Sequence, residues 1–191
     1  MTKLVFLGDE LVAGTGDERA LGWIGRAVTR TEFTSQTDVL VLGIPQETTQ
    51  DLSQRFLEEV QRRRPDQSEP LYVAVGMGIH DIEAGISSAR TRLHLANTLD
   101  GLTKLGAKVM LVSPPPLPSI SSNDLEELVQ IGYEVAHRRQ ITWVDLYHPL
   151  VEHEQWRSDF LDPQAALPKQ TGYGLMAWLV LHDGWYEWLS N

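Results

Sequence analysis

The 191-residue sequence predicts an α/β fold, a doubly wound, five-stranded parallel sheet inside a three-layer α/β/α sandwich. Three observations predict it. Five short apolar runs are each followed by a segment with helical spacing. The runs are continuously apolar rather than alternating, as strands buried on both faces of a parallel sheet are. Glycine or proline closes several of them, where a buried strand must turn away from the sheet. With right-handed crossovers and the flavodoxin-like order 2-1-3-4-5, the switch point falls between the first and third strands.

Each element has its own warrant. Leu4 to Leu7 is the first strand, broken at Gly8, and Asp9 and Glu10 follow at a strand-to-helix turn. Within Glu18 to Arg30, residues Ala20, Leu21, Ile24, Ala27 and Val28 form a helical stripe. Asp38 to Leu42 is a second short strand, expected to be buried and ended by Gly43. Thr48 or Thr49 can cap a helix whose apolar face is Leu52, Phe56 and Val60. Arg62, Arg63 and Arg64 close that helix, where cations complement its dipole. A loop from Pro65 to Pro70 leads to the third strand, Leu71 to Val75, and to the glycine-bearing turn Gly76 to Asp81. Leu95, Ala96, Leu99 and Leu102 mark a helix stopped at Gly106. Lys108 to Val112 is the fourth strand, and Pro114 to Pro118 is a stiff loop that cannot extend it. A helix starting within Ser121 to Asp124 carries Leu125, Leu128, Val129, Gly132, Tyr133 and Ala136 on one face. Ile141 to Val144 is the fifth strand, and Thr171 to Leu189 reads as one last helix.

Composition narrows the function. With 42% hydrophobic and 22% charged residues, the chain is expected to form one soluble globular domain, 1–191. A net charge of −10 argues against nucleic acid or an anionic membrane as partner. There is no cysteine, hence no disulfide or thiol chemistry. No stretch reads as a signal peptide or a membrane span, so a cytoplasmic protein is expected. The six tryptophans, including Trp178, Trp185 and Trp188, read as core or helix-packing residues, and an apolar tail leaves a homo-oligomer open. His94, His137, His153 and His182 lack companions at ligand spacing and are expected at the surface.

The crevice between the first and third strands would bring Asp9 and Glu10 opposite His80 and Asp81. No cofactor is expected there: Gly14-Thr-Gly16 lacks a third glycine at Arg19, and no Gly-Lys-Ser/Thr phosphate loop exists. The four side chains are oxygen and imidazole donors of the kind metals use, but they match no recognised ligand spacing, and no metal is expected.

These same residues carry a resemblance. Phe6-Leu-Gly-Asp-Glu-Leu-Val-Ala-Gly14 resembles the first block of the SGNH, or GDSL-type, esterase and lipase family, which reads Gly-Asp-Ser-Leu. Leu42-Gly-Ile44 resembles the second block, and Gly78-Ile-His-Asp81 the third, Gly-x-Asn-Asp. Leu167-Pro168, with Gly172-Tyr173 ahead of the last helix, resembles the tail of the fifth block, Asp-x-x-His-Pro. Gly14 to Asp17 and Leu21-Gly-Trp23 look like a bacterial branch of the family. The resemblance implies the hydrolase fold. It also implies an oxyanion hole built from the turn after the first strand, the Gly43 amide and the side chain at position 80.

Carried over residue by residue, the triad is missing. Glu10 stands where the serine nucleophile belongs, His80 where the oxyanion asparagine does, and Gln164 and Leu167 at the Asp and His positions. The resemblance therefore implies a pseudoenzyme, with a small ligand or partner held at the former acyl pocket of Asp9, Glu10, Gly43, Gly78, His80 and Asp81. The alternative is an active hydrolase built on Glu10 and His80, with His148 or a metal ion assisting. Asp145-Leu-Tyr-His148-Pro149 also spells Asp-x-x-His-Pro, but lies just after the fifth strand rather than before the final helix. Within the candidate pocket, Glu10 is expected to reach back and pair with His80, which would raise the imidazole pKa.

Overall fold

The computed structural model describes every residue of the chain except Pro65, Gln67, Met77, Pro163 and Asn191. Its sheet has five parallel strands in the order β2-β1-β3-β4-β5. They are β1 (Thr2–Gly8), β2 (Thr37–Gly43), β3 (Leu71–Gly76), β4 (Lys108–Val112) and β5 (Thr142–Val144). Gly8 is in register with Gly43 on one side and Gly76 on the other, so three strands end at one level. Two glycine-ended strands thus flank the turn where Asp9 and Glu10 emerge.

Alternation along the strands divides the core into two layers. Leu4, Phe6, Ala74, Met110, Val112 and Val144 face one side. There they meet α2 (Gly22–Val28), α9 (Gln170–Val180), and Trp185 and Trp188 of the C-terminal segment. Val5, Leu7, Val73, Val75, Val109 and Leu111 face the other, against α3 (Thr49–Arg63) and α5 (Ser88–Lys104). Helix α6 (Ser122–His137) serves both layers, with Leu125 and Val129 in the first and Ile131 and Val135 in the second. Short helices fill the strand ends: α1 (Glu10–Ala13), α4 (Ile79–Glu83), α7 (Tyr147–Val151) and α8 (Glu154–Ser158). Among the described residues no helix is long and apolar enough to cross a membrane.

The expected cap of α3 is Thr48, in a reciprocal capping box with Asp51. Arg62 and Arg63 pair with Glu58 and Glu59 one turn earlier, and Arg64 binds the carbonyls of Glu69 and Leu105. The loop expected from Pro65 to Pro70 and the turn from Gly76 to Asp81 lie partly outside the described residues.

Several expectations are corrected. The helix expected from Glu18 is regular only over Gly22–Val28, because Asp17 gathers the preceding residues into a loop. Strand β2 is not buried: it forms an edge of the sheet, and Val41 is 43% exposed. An apolar run cannot tell an edge position from a central one. The last helix is not continuous either. After α9 it widens into a π-helical turn, Leu181–Trp185, then resumes as α10 (Tyr186–Ser190). At the break, a Cβ on Gly184 would stand 2.8 Å from Thr142 Cγ2, so the chain passes β5 where only glycine fits. Of the tryptophans, Trp23, Trp156, Trp185 and Trp188 are buried, whereas Trp178 is 54% exposed and stacks on His182. His94 and His153 are half-buried rather than at the surface.

Candidate functional site

The site begins at Gly8. Its φ is +152°, and a Cβ there would lie 1.9 Å from the Gly76 carbonyl oxygen, so no other residue lets β1 and β3 close at this level. The chain then turns through Asp9, the N-cap of α1, whose Oδ1 accepts from the Leu11 N–H at 3.0 Å. Asp9 is wholly buried, and its Oδ2 has no hydrogen-bond partner. Burial, followed by the neighbouring Glu10 charge, pushes the Asp9 carboxyl up to about 7. A cavity of about 10 Å³ lies beside it, lined among others by Trp23, Val112, Ser113 and Met176.

Glu10 bends back into the switch-point crevice. Its Oε1 lies 2.7 Å from His80 Nε2, and its Oε2 accepts from the Gln46 N–H at 2.9 Å. The pair expected from the sequence is therefore present, and both residues are buried. The other imidazole nitrogen, Nδ1, lies 2.8 Å from Glu83 Oε2. Burial pulls the imidazole pKa down, but its bonds to Glu83 and Glu10 and the charges of Glu10 and Asp9 outweigh this, and the pKa is raised. A ring held between two carboxylates keeps its proton to higher pH than a free one.

Two of these partners have no motif. Gln46 acts through its backbone: it sits at φ +63°, which turns its N–H toward Glu10. The buried Glu47, gripped by Arg55, secures that loop, and Arg55 also binds the Leu42 carbonyl at 2.8 Å. Glu83 was detectable in principle, because it stands three residues after His80 and so on the same face of α4.

The other sequence candidates fall into different roles. Asp81 does not join Glu10. It accepts from the Thr49 N–H at 2.7 Å and from the hydroxyls of Thr49 and Thr91, tying α4 to the starts of α3 and α5. Gly43 is needed for close approach: a Cβ would stand 2.5 Å from both the Ala13 nitrogen and the Asp9 oxygen. Gly78, at φ +128°, starts α4 against the Leu128 side chain. Gln164 is exposed, its N–H donating to Asp162, and Leu167 packs half-buried against the core. The segment after Leu167 does reach the site's edge, since a Cβ on Gly16 would stand 2.9 Å from the Pro168 carbonyl oxygen. Asp145 and His148 make a local pair at the start of α7, Nδ1 to Oδ2 at 2.6 Å, with the imidazole exposed.

One atom each from Asp9, Glu10 and His80 can be chosen within 4.8 Å of the others. Chemically, the site is a buried group of two carboxylates and an imidazole, held by backbone donors at the carboxyl ends of β1, β2 and β3.

A parallel sheet in this order belongs to the doubly wound α/β class, whose ligands bind at the switch point where these acidic and imidazole side chains gather. A family model described as GDSL-like lipase/acylhydrolase matches residues 6–175, and the chain belongs to that family. Solved structures agree. A lipase/acylhydrolase from Enterococcus faecalis is 26% identical, with a TM-score of 0.75 over 96% of this chain and 95% of that one. A catalytic mutant of the acetylxylan esterase Axe2 from Geobacillus stearothermophilus is 18% identical, with a TM-score of 0.78 over 98% and 95%. The psychrotrophic esterase EstA from Pseudoalteromonas, in a form inhibited by monoethylphosphonate, is 18% identical, with a TM-score of 0.75 over the whole of both chains. At 18% identity these last two show the fold alone. No curated protein matches the chain.

Proposed function

We propose that the chain is one SGNH/GDSL-like domain, residues 1–191, that lacks serine-esterase chemistry and holds a small ligand or a protein partner at the former acyl pocket. The observation that carries this reading is Glu10. It stands where the family's motif has serine, and its carboxylate is engaged by the His80 imidazole and the Gln46 N–H. A carboxylate so placed occupies the position-80 side chain, one of the groups that a hydrolase of this family would aim at a developing oxyanion. Leu167, at the position of the family's base, cannot accept a proton, so a serine restored alone would have no partner. The setting proposed is the cytoplasm of a bacterium, the bacterial part resting on the likeness of the Gly14 to Asp17 block to a bacterial branch of the family.

The test is direct. With p-nitrophenyl acetate the protein should give no burst of acyl-enzyme, and a fluorophosphonate should label no serine of the crevice. Stoichiometric labelling of such a serine would end the reading.

A second reading has one observation in its favour, the continuous chain Glu83–His80–Glu10. Such a chain can move a proton, so Glu10 could act as a base toward water. Ester turnover without serine labelling, lost in both Glu10→Gln and His80→Gln, would select it.

A further inference from the structure

Three buried side chains at the switch point share an arrangement that pairing alone does not require. Each has one polar atom fixed by a neighbour and another turned to a different use. Asp9 Oδ1 is held by the Leu11 N–H, while Oδ2 is buried with no partner. Glu10 Oε2 is held by the Gln46 N–H, and Oε1 faces His80. His80 Nδ1 is held by Glu83, and Nε2 faces Glu10. A carboxylate on one imidazole nitrogen is the support that metal-bound histidines ordinarily have, since it fixes the tautomer and leaves the other nitrogen as ligand.

We propose that Asp9, Glu10 and His80 bind a divalent transition-metal ion, with Zn²⁺ the best match, through one carboxylate oxygen of Asp9, Glu10 Oε1 and His80 Nε2. An atom from each lies within 4.8 Å of the others, and the Glu10–His80 pair is already at 2.7 Å. Ligand atoms about 2.0–2.2 Å from a tetrahedral zinc stand roughly 3.3 Å apart, so side-chain shifts of about 1 Å would admit the ion. The metal would replace the proton between Glu10 and His80 and give the buried Asp9 carboxylate a counter-charge. One imidazole and two carboxylates favour Zn²⁺ over Mg²⁺, which prefers an all-oxygen octahedron. Three protein ligands leave a fourth position for water or an anionic group of a ligand.

The experiment is a calorimetric titration of ZnCl₂ into the full chain, freed of metal by chelator and dialysis, with each variant's fold checked by thermal melting. A single saturable site per chain is expected, weakened more than about 100-fold in His80→Gln and about 10- to 100-fold in Glu83→Gln. His182→Ala, at an exposed histidine outside the cluster, should bind as the parent does. No saturable binding in the parent, or parental affinity in folded His80→Gln, overturns the proposal. Should His80→Gln fail to fold, Glu83→Gln decides, because Glu83 is largely exposed and its loss spares the core. Parental affinity in Glu83→Gln would then be the overturning result. Serine labelling is unaffected by zinc affinity, so failure here and failure of the proposed function are read separately.

Discussion

Asp17 does no chemistry, yet it holds the loop that leads from α1 into α2. Its carboxylate is gripped by the Arg26 guanidinium and accepts from the backbone N–H groups of Arg19, Leu21 and Gly22 at 2.9–3.2 Å. The Arg26 bond, opposed by burial and aided by the backbone donors, holds the carboxyl well below the usual range. Breaking a buried pair leaves a charge unmatched, so Asp17→Asn should lose about 3 kcal/mol at neutral pH. A depressed folded pKa gives stability that is complete above the unfolded value and fades as pH falls through the folded one. Denaturant melts should therefore show the gap between parent and variant narrowing below about pH 4, the ordinary range of an aspartate. At this scale the sequence was informative about side chains that end strands. Glu10 and His80 are expected as partners because the order 2-1-3-4-5 makes their strands neighbours and the family resemblance sets them at the nucleophile and oxyanion positions. Asp81 was misplaced, because neighbours on one helical turn point about 100° apart and the sequence does not say which faces the crevice. The Gln46 donor was not legible at all, since a backbone N–H takes its direction from φ and not from residue type.

Two elements meet closely where α1 crosses the end of β2. A methyl at Gly43 would press on the Ala13 nitrogen, the Asp9 oxygen and the Ala13 Cβ at 2.5–2.8 Å. Gly43→Ala must lift α1 from the strand, and overpacking of this kind costs about 1–3 kcal/mol. The shift moves Glu10 with it, so the backbone amides of Gln46 and Leu11 should change chemical shift by NMR, while those of α6 stay put. Unchanged Gln46 and Leu11 signals would mean that α1 does not depend on this approach. Strand existence and helix faces were legible because burial imposes its period on the sequence. The order 2-1-3-4-5 expected for the sheet is the one observed and already sets β2 at an edge; what its apolar run does not carry is how much of it stays exposed there. The break in the last helix depends on how close β5 runs to Gly184, a distance that no local pattern carries.

For the molecule as a whole, the strand order fixes when the core can close. Phe6, on β1, stacks on Trp185 at 6.0 Å and meets Trp188 edge-on at 6.2 Å. Trp188 in turn packs edge-on against Tyr72 and donates its indole N–H to the Lys108 carbonyl, while Trp185 donates to Thr31. Strand β1 thus finds these aromatic partners only after the whole span from Phe6 to Trp185 has been made. Until then one face of β1 is an open apolar ledge, and contacts spanning almost the full sequence slow the search for the native state. A chain stopped after Val180 should keep much of its helical far-UV signal but lose the cooperative melt and bind a hydrophobic dye; a sharp, dye-free transition would show that the sheet closes without its tail. Trp185 and Trp188 act, in effect, as a late latch on β1, since its apolar face stays open until those two rings have folded back over it.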